Sequence, residues 1–221
     1  PEARYEMPFG AVKRDLPGGE EVPALEWALV TGRSGERRAG LLLLNDSKHG
    51  HSFAGGTLRL TLIRGSYAPD PLPEIGRHEV HLALAPVAGD VTVAEATRTA
   101  RELNHGLRVA GTDVHKGGMP SQARLLAVGP ENVVLSGLKK AEEGEALIVR
   151  VYETAGRETL ARIEPDGQWF GKPAEAAEVD LMERPLAGST ARIEDGAVTV
   201  KVPAFGIATV SIALKRRHGR G

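Results

Sequence analysis

The densest run of reactive side chains in this 221-residue chain is Asn45-Asp46-Ser47-Lys48-His49-Gly50-His51. It follows Leu41-Leu42-Leu43-Leu44 without a break, and Gly55-Gly56 closes it shortly afterwards. A buried strand that ends in amide, carboxylate, hydroxyl, ammonium and imidazole groups is a common way to mount binding groups on a rigid scaffold. Asn45 and Asp46 carry oxygens that accept from or bridge the hydroxyls of a polar ligand, and Lys48 donates to the same groups. The competing reading is a polar turn in which Asn45 or Asp46 caps its own backbone.

His49 and His51 stand two apart, on one side of an extended chain. They would supply two ligands of a metal centre, and no third has convincing spacing nearby. A free-standing metalloenzyme built on this pair is therefore an incomplete alternative. His78-Glu79-Val80-His81 has a superficial likeness to a zincin fragment, but its spacing is wrong. On the strand implied by Val80, Leu82 and Leu84, residues three apart face opposite ways, so the pair reads as structural. None of Ser47, Ser52, Ser66 and Ser136 sits in a Gly-x-Ser-x-Gly elbow, and the chain has no Gly-x-Gly-x-x-Gly or phosphate-binding loop. Glu20-Glu21 and Glu142-Glu143 read as solvated surface acids.

These groups must be positioned by strands. Leu58, Leu60 and Leu62 alternate with Arg59 and Thr61; Val80, Leu82 and Leu84 repeat the pattern, and so do Leu147, Val149 and Val151. Val198, Val200, Val202 and then Val210, Ile212, Leu214 follow near the end, parted by Pro203 to Gly206. Turn signals stand between them at Pro17-Gly18-Gly19, Gly55-Gly56, Pro69-Asp70-Pro71, Gly117-Gly118 and Pro165-Asp166-Gly167. Many short half-buried strands predict antiparallel β-sandwiches. One helix is expected: Thr92 and Glu95 form a capping box, Val93, Ala96, Ala100 and Leu103 make one stripe, and Asn104-His105-Gly106 is the stop. The patternless stretch 107–122, with His115-Lys116-Gly117-Gly118-Met119-Pro120 at its centre, predicts a seam between domains 1–115 and 116–221.

Twenty-eight Lys and Arg against 29 Asp and Glu leave a net charge of −1, which gives no bulk positive charge for nucleic acid. The basic run Lys215-Arg216-Arg217-His218-Gly219-Arg220 reads as a solvated end. The absence of Cys excludes disulfides, thiolate zinc sites and a Cys nucleophile, and fits a cytoplasmic setting. The longest apolar run, Gly40 to Leu44, falls far below the roughly 18 residues needed to cross a bilayer, so no membrane association is expected. The opening Pro1-Glu2-Ala3-Arg4-Tyr5 has no secretory pattern and no initiator Met, as expected of a processed chain or one cut from something longer.

Tyr5 to Gly10, Glu21 to Trp27 and Leu43 to His51, taken in order with later blocks, resemble the C-terminal region of bacterial α-mannosidases of glycoside hydrolase family 38. Tyr5-Glu6-Met7-Pro8-Phe9-Gly10 and Glu21-Val22-Pro23-Ala24-Leu25-Glu26-Trp27 are similar to its early stretch. Leu43-Leu44-Asn45-Asp46-Ser47-Lys48-His49-Gly50-His51 resembles the family's Leu-Asn-Asp-x-Lys-Tyr-Gly-His signature. Gly56 to Arg64, Pro69-Asp70-Pro71, Glu131 to Ser136, Leu138 to Glu142, Ile148 to Glu153 and Val179 to Pro185 continue the likeness over nearly the whole chain.

The resemblance implies a mainly all-β fold: a large antiparallel supersandwich (galactose-mutarotase-like), then a smaller β-sandwich, with one short helix. It implies a parent enzyme that is a retaining exo-α-mannosidase, with an aspartate nucleophile, an acid/base carboxylate and a zinc that grips the sugar hydroxyls. Those residues belong to the family's N-terminal domain, so the resemblance implies no catalytic residue, no metal ligand and no cofactor in this chain. The implied partners are mannosides or mannose-containing oligosaccharides and the missing N-terminal domain or a second chain. Asn45, Asp46, Ser47, Lys48, His49 and His51 are the implied substrate-facing rim. The family's first sandwich begins upstream of Tyr5, so opening strands are expected to be missing and strand edges exposed. Two residues depart from the pattern: His49 stands where Tyr is usual, and Gly206 replaces a glutamate in Pro203-Ala204-Phe205-Gly206-Ile207-Ala208-Thr209. The alternative of another class is an independent carbohydrate-binding or structural module, against which stands an aromatic content of only 4%.

Overall fold

The computed structural model describes residues 1–14, 18–72, 74–114, 116–118 and 120–215. Pro17, His115, Met119 and the basic run beyond Lys215 lie outside the described residues. The chain divides into two compact units, Pro1–Arg108 and Val109–Gly221.

In unit one, β1 (Glu2–Met7), β2 (Gly10–Lys13), β3 (Val22–Pro23), β4 (Trp27–Ser34), β5 (Arg37–Asn45), β6 (Gly50–Ala54), β7 (Thr57–Thr61) and β8 (Leu82–Ala88) precede helix α1 (Val93–Asn104). They form a five-stranded sheet in the order β2-β1-β4-β5-β8 and a three-stranded sheet β3-β6-β7, with every pair antiparallel. Residues of the longer sheet alternate between two faces, so it has two cores. On one face Ala3, Tyr5 and Ala28 meet Val22 and Ala24, with Phe53 and Leu58 packed alongside. On the other, Trp27, Leu29, Leu42 and Leu44 meet Ala96 and Ala100 of α1. Trp27 is fully buried, and its Nε1–H donates to Thr97 Oγ1 at 3.2 Å, which satisfies the indole where water cannot reach it. The β6–β7 hairpin turns on Gly55 and Gly56, with φ of 57° and 76°; two left-handed residues in a row match the right-handed strand twist, and Gly adopts them without strain.

The helix and its capping box form as expected, with Ala96 and Ala100 buried, but Leu103 of the expected stripe is 40% exposed and Ala94 and Thr97 are buried beside the other two. Thr92 accepts from the Glu95 amide, and Glu95 reaches back to the Thr92 amide. The expected inward face of β8 does not hold. Leu82 and Leu84 are 45% and 63% exposed, whereas Ala83, Ala85 and Val87 pack on the helix-side core. On the face under α1, where Trp27, Leu29, Leu42 and Leu44 already stand, β8 contributes its smaller side chains. Leu82 and Leu84 project from an edge strand of the opposite face. Val80 lies before the strand, and Leu62, just past the end of β7, is 46% exposed.

Unit two is a sandwich of β9 (Leu126–Gly129), β10 (Val133–Lys140), β11 (Leu147–Glu153), β12 (Thr159–Pro165), β13 (Lys172–Glu178), β14 (Arg192–Glu194), β15 (Ala197–Val202) and β16 (Ile207–Lys215). One sheet runs β10-β11-β16-β13, the other β14-β15-β12-β9. Val149, Val151, Val210 and Ile212 of the first sheet close on Ala161, Ile163, Val198 and Val200 of the second, all but fully buried. Here the expected alternation faces inward as read. At the β15–β16 turn, Gly206 N–H donates to Pro203 O at 2.8 Å, and a Cβ on Gly206 would sit 2.9 Å from three Pro203 atoms. The turn therefore excludes a side chain at 206.

Candidate functional site

The polar run after β5 forms a tight loop organised by Asn45, which is completely buried. Its Oδ1 accepts from the amides of Ser47 (3.1 Å) and Lys48 (2.6 Å), and its Nδ2–H donates to Leu25 O (3.1 Å). Its backbone is held too: Asn45 N–H donates to Glu26 O at 2.9 Å, and Asn104 Nδ2–H at the end of α1 donates to Asn45 O at 3.1 Å. With both side-chain ends engaged, Asn45 shapes the loop from inside, in the manner of the Asx turn weighed from the sequence.

His51 is also completely buried, facing Tyr5 edge-on with ring centroids 6.5 Å apart. Neither ring nitrogen has a partner in hydrogen-bond geometry; the His49 backbone lies within electrostatic reach only. Burial holds the His51 imidazole below its ordinary pKa, so it is neutral. Asn45 and His51 therefore frame the loop, and the exposed side chains are Asp46, Ser47 and His49, with Lys48 half-buried. His49 Nδ1 lies 3.1 Å from Ala24 O, and Ala24 N–H donates to His49 O at 2.9 Å, which ties the loop to the segment ahead of β4.

One residue read as structural joins this group. His81 Nδ1 lies 2.6 Å from Asp46 Oδ2, and its Nε2 is 3.7 Å from Glu79 Oε1. Ser47 Oγ donates to Asp46 Oδ1 at 2.8 Å. The hydrogen bond from His81 lowers the Asp46 pKa, and the same bond raises that of His81. His78 is turned elsewhere, with Nε2 2.6 Å from Glu74 O. His81 stands 35 residues from Asp46 in the chain, which leaves no periodic signal by which their contact could be found.

Beneath the loop lies a carboxylate that the sequence reading passed over. Glu6, on β1, is 6% exposed, and its Oε2 accepts from Glu26 N–H at 2.7 Å. Burial pushes its pKa up to about 7; the negative charge of Glu26 adds to this, while the Glu26 amide and Arg101 of α1 oppose it. Glu26 Oε2 is itself enclosed without a hydrogen-bond partner. In the alternation of β1, nothing marks Glu6 as buried.

Among the described residues, no grouping of three His, Asp or Glu side chains has the arrangement of a metal centre. In unit two, a cleft of about 640 Å³ is lined by residues including Lys139, Glu142, Ile148, Met182 and Glu183. Lys139 is paired there with Glu142 and, at 2.8 Å, with Glu183. Among the described residues, no helix is long and apolar enough to cross a membrane.

Comparison with known families matches residues 1–72 to the "Glycosyl hydrolases family 38 C-terminal domain" and residues 132–210 to the "Glycosyl hydrolases family 38 C-terminal beta sandwich domain". The chain belongs to glycosyl hydrolase family 38. Its two matched segments are C-terminal regions of that family, one in each unit. The curated relatives include "Alpha-mannosidase 2C1" of Homo sapiens, 29% identical over 97% of this chain and 21% of that protein. The Mus musculus protein of the same name is 33% identical over 71% of this chain and 15% of its own length. "Alpha-mannosidase G" of Dictyostelium discoideum is 28% identical over 71% of this chain and 15% of its own. The chain thus spans about a fifth or less of the curated relatives it matches. A crystal structure of a family 38 protein from Enterococcus faecalis superposes with a TM-score of 0.73 at 17% identity, covering 96% of this chain and 25% of that one. That likeness establishes the shared β-rich fold of the family 38 C-terminal region.

Proposed function

We propose that this chain is the C-terminal β-rich part of a zinc-dependent retaining α-mannosidase that hydrolyses terminal α-D-mannosidic linkages. In this reading its Asn45–His51 loop forms one side of the active site, and the catalytic residues and zinc belong to an N-terminal catalytic part, on the same polypeptide or a second chain. The observation that carries the reading is the pair of family 38 C-terminal matches, together with curated relatives that all bear the name alpha-mannosidase.

The geometry of the loop supports the role given to each residue. Asp46, held ionised by His81, accepts from sugar hydroxyls; Lys48 and Ser47 lie beside it as donors. Asn45 and His51 keep the loop in shape from within. The described residues offer no fitting set of zinc ligands, so no chemical step is assigned to zinc on this chain. Double displacement needs two carboxylates about 5 Å apart across the scissile bond, and the reading places both on the N-terminal part. A cysteine-free chain suits a cytoplasmic enzyme.

The test has two arms. In a full-length protein carrying this region, D46N and K48A raise KM for an aryl α-mannoside about tenfold while kcat stays within about twofold, as expected when binding contacts alone are lost. The 221-residue chain alone, given the same substrate and added zinc, shows no turnover; enzyme-like rates from it would sink the reading. Calorimetry of the isolated chain with mannose and oligomannosides separates the alternative, since millimolar or tighter binding makes it a self-sufficient carbohydrate-binding module.

A further inference from the structure

The Asn45–His51 loop holds its backbone by ties that do not involve the Asp46 side chain. Asn45 Oδ1 accepts from the Ser47 and Lys48 amides, Asn104 Nδ2–H donates to Asn45 O at 3.1 Å, and Ala24 N–H donates to His49 O at 2.9 Å. The Asp46 carboxylate is held separately. Ser47 Oγ donates to Oδ1 at 2.8 Å; His81 Nδ1 lies 2.6 Å from Oδ2, and the His81 amide approaches Oδ1 at 3.4 Å. Ser47 is the next residue along and moves with the loop, so its hydroxyl does not fix Asp46 against the rest of the unit. His81 does, because it stands on another segment and meets both oxygens.

The sheet explains how His81 gets there. The β5–β8 ladder ends with Asn45 opposite Leu82, and one step further along the two antiparallel chains Asp46 falls opposite His81. The pairing that builds the sheet therefore delivers the imidazole to the carboxylate as a cross-strand neighbour. A carboxylate oxygen only accepts, so Nδ1 is the donor; a neutral ring with its hydrogen on that nitrogen serves as well as an imidazolium. The contact needs no change of charge.

We propose that His81 is a positioning residue for the rim: it aims the Asp46 carboxylate at the hydroxyls of the mannoside and acts on the substrate through Asp46. This role rests on the reading of the loop as substrate-facing and adds to it a residue from outside the loop. Without His81 the backbone ties remain, but the Asp46 side chain is free to change rotamer, and binding must then order it again. The loss falls on KM, since Asp46 makes or breaks no bond in that reading.

Kinetics of a full-length family 38 enzyme carrying this region test the role. H81A should raise KM for an aryl α-mannoside about tenfold, as D46N does, with kcat within about twofold. The H81A/D46N double variant should stay within about twofold of D46N, since a residue that acts through Asp46 then has nothing left to act on. H81N should bring KM back to within about threefold of wild type, because its amide nitrogen stands as many bonds from Cβ as Nδ1 does. On the 221-residue chain without sugar, the Ser47 and Lys48 amides should keep their hydrogen-exchange protection in H81A, because Asn45 holds them. A wild-type KM in H81A beside a raised KM in D46N overturns the role of His81 and leaves the rim reading standing. A double variant whose loss is the product of the two single losses also overturns it, since His81 would then meet the sugar independently. So does an H81N as poor as H81A, or loss of loop protection in H81A, which marks a structural tie. A wild-type KM in D46N removes the rim reading itself, and the positioning role goes with it.

Discussion

Each unit buries one glutamate completely or nearly so, and the two are treated in opposite ways. Glu153, at the end of β11, is fully buried, yet its carboxylate accepts from Asn132 Nδ2 (2.7 Å) and from the amides of Ala155, Gly156, Arg157 and Phe205 at 2.6 to 3.2 Å. Burial alone would raise its pKa, but these donors outweigh burial and hold it below the ordinary carboxylate value. Glu6 is almost as buried, has the amide of Glu26 as a donor, and sits beside a second carboxylate; it goes up to about 7. The lesson is that burial does not decide a carboxylate's charge. The number of N–H groups turned toward it does. Glu153 is a negative hub that gathers three loops, whereas Glu6 is a group for which being charged is the strained condition.

The sharpest way to break the contrast is to remove the hub. E153A leaves five donors without an acceptor and should cost unit two about 3–5 kcal/mol, seen as a lowered urea midpoint for β11 and β16 amides by hydrogen exchange. N132A removes one donor and its bond to Thr159 Oγ1 (2.8 Å), so a loss of about 2 kcal/mol in the same measurement is expected. E6Q should do the reverse in unit one: at pH 8.5 it should stabilise by about 1–3 kcal/mol, and at pH 4.5 change little, since there the native carboxyl is already neutral. Trp27 fluorescence in a W169F background reads this transition, because Trp27 is buried in unit one. The smallest effect is on the helix beside that site. T92A should cost about 1 kcal/mol through loss of the capping box, with no dependence on pH between 6 and 8. An E153A chain as stable as wild type, or an E6Q chain destabilised at pH 8.5, would erase the difference between the two sites.

What the sequence made legible follows the same division. In unit two β11, β15 and β16 could be read, because their alternating apolar residues point into a core closed from both sides. The capping box of α1 was readable because it is local, with both partners three residues apart. The inversion of β8 was not readable: its pattern of large and small apolar residues is symmetric, and only the position of α1 over one face decides which set goes inside. The candidate site was half legible. A leucine strand that ends in Asn-Asp-Ser-Lys-His marks the loop, and Asn45 as its organiser was one of the two readings offered. The charge partners Glu6 and His81 lie 39 and 36 residues from Asn45 in the chain, and the chain folds them into place through contacts with no sequence period.

The outward leucines of β8 carry a consequence for the protein as a solute. Leu82 and Leu84 lie on the last strand of their sheet, on the face away from α1, and the net charge of −1 provides almost no long-range repulsion between molecules. Association through such strips grows with the frequency of encounters. Concentration therefore sets how long a purified sample of this chain stays clear, and a lysine at position 84 would extend that time more than any change to the folded core.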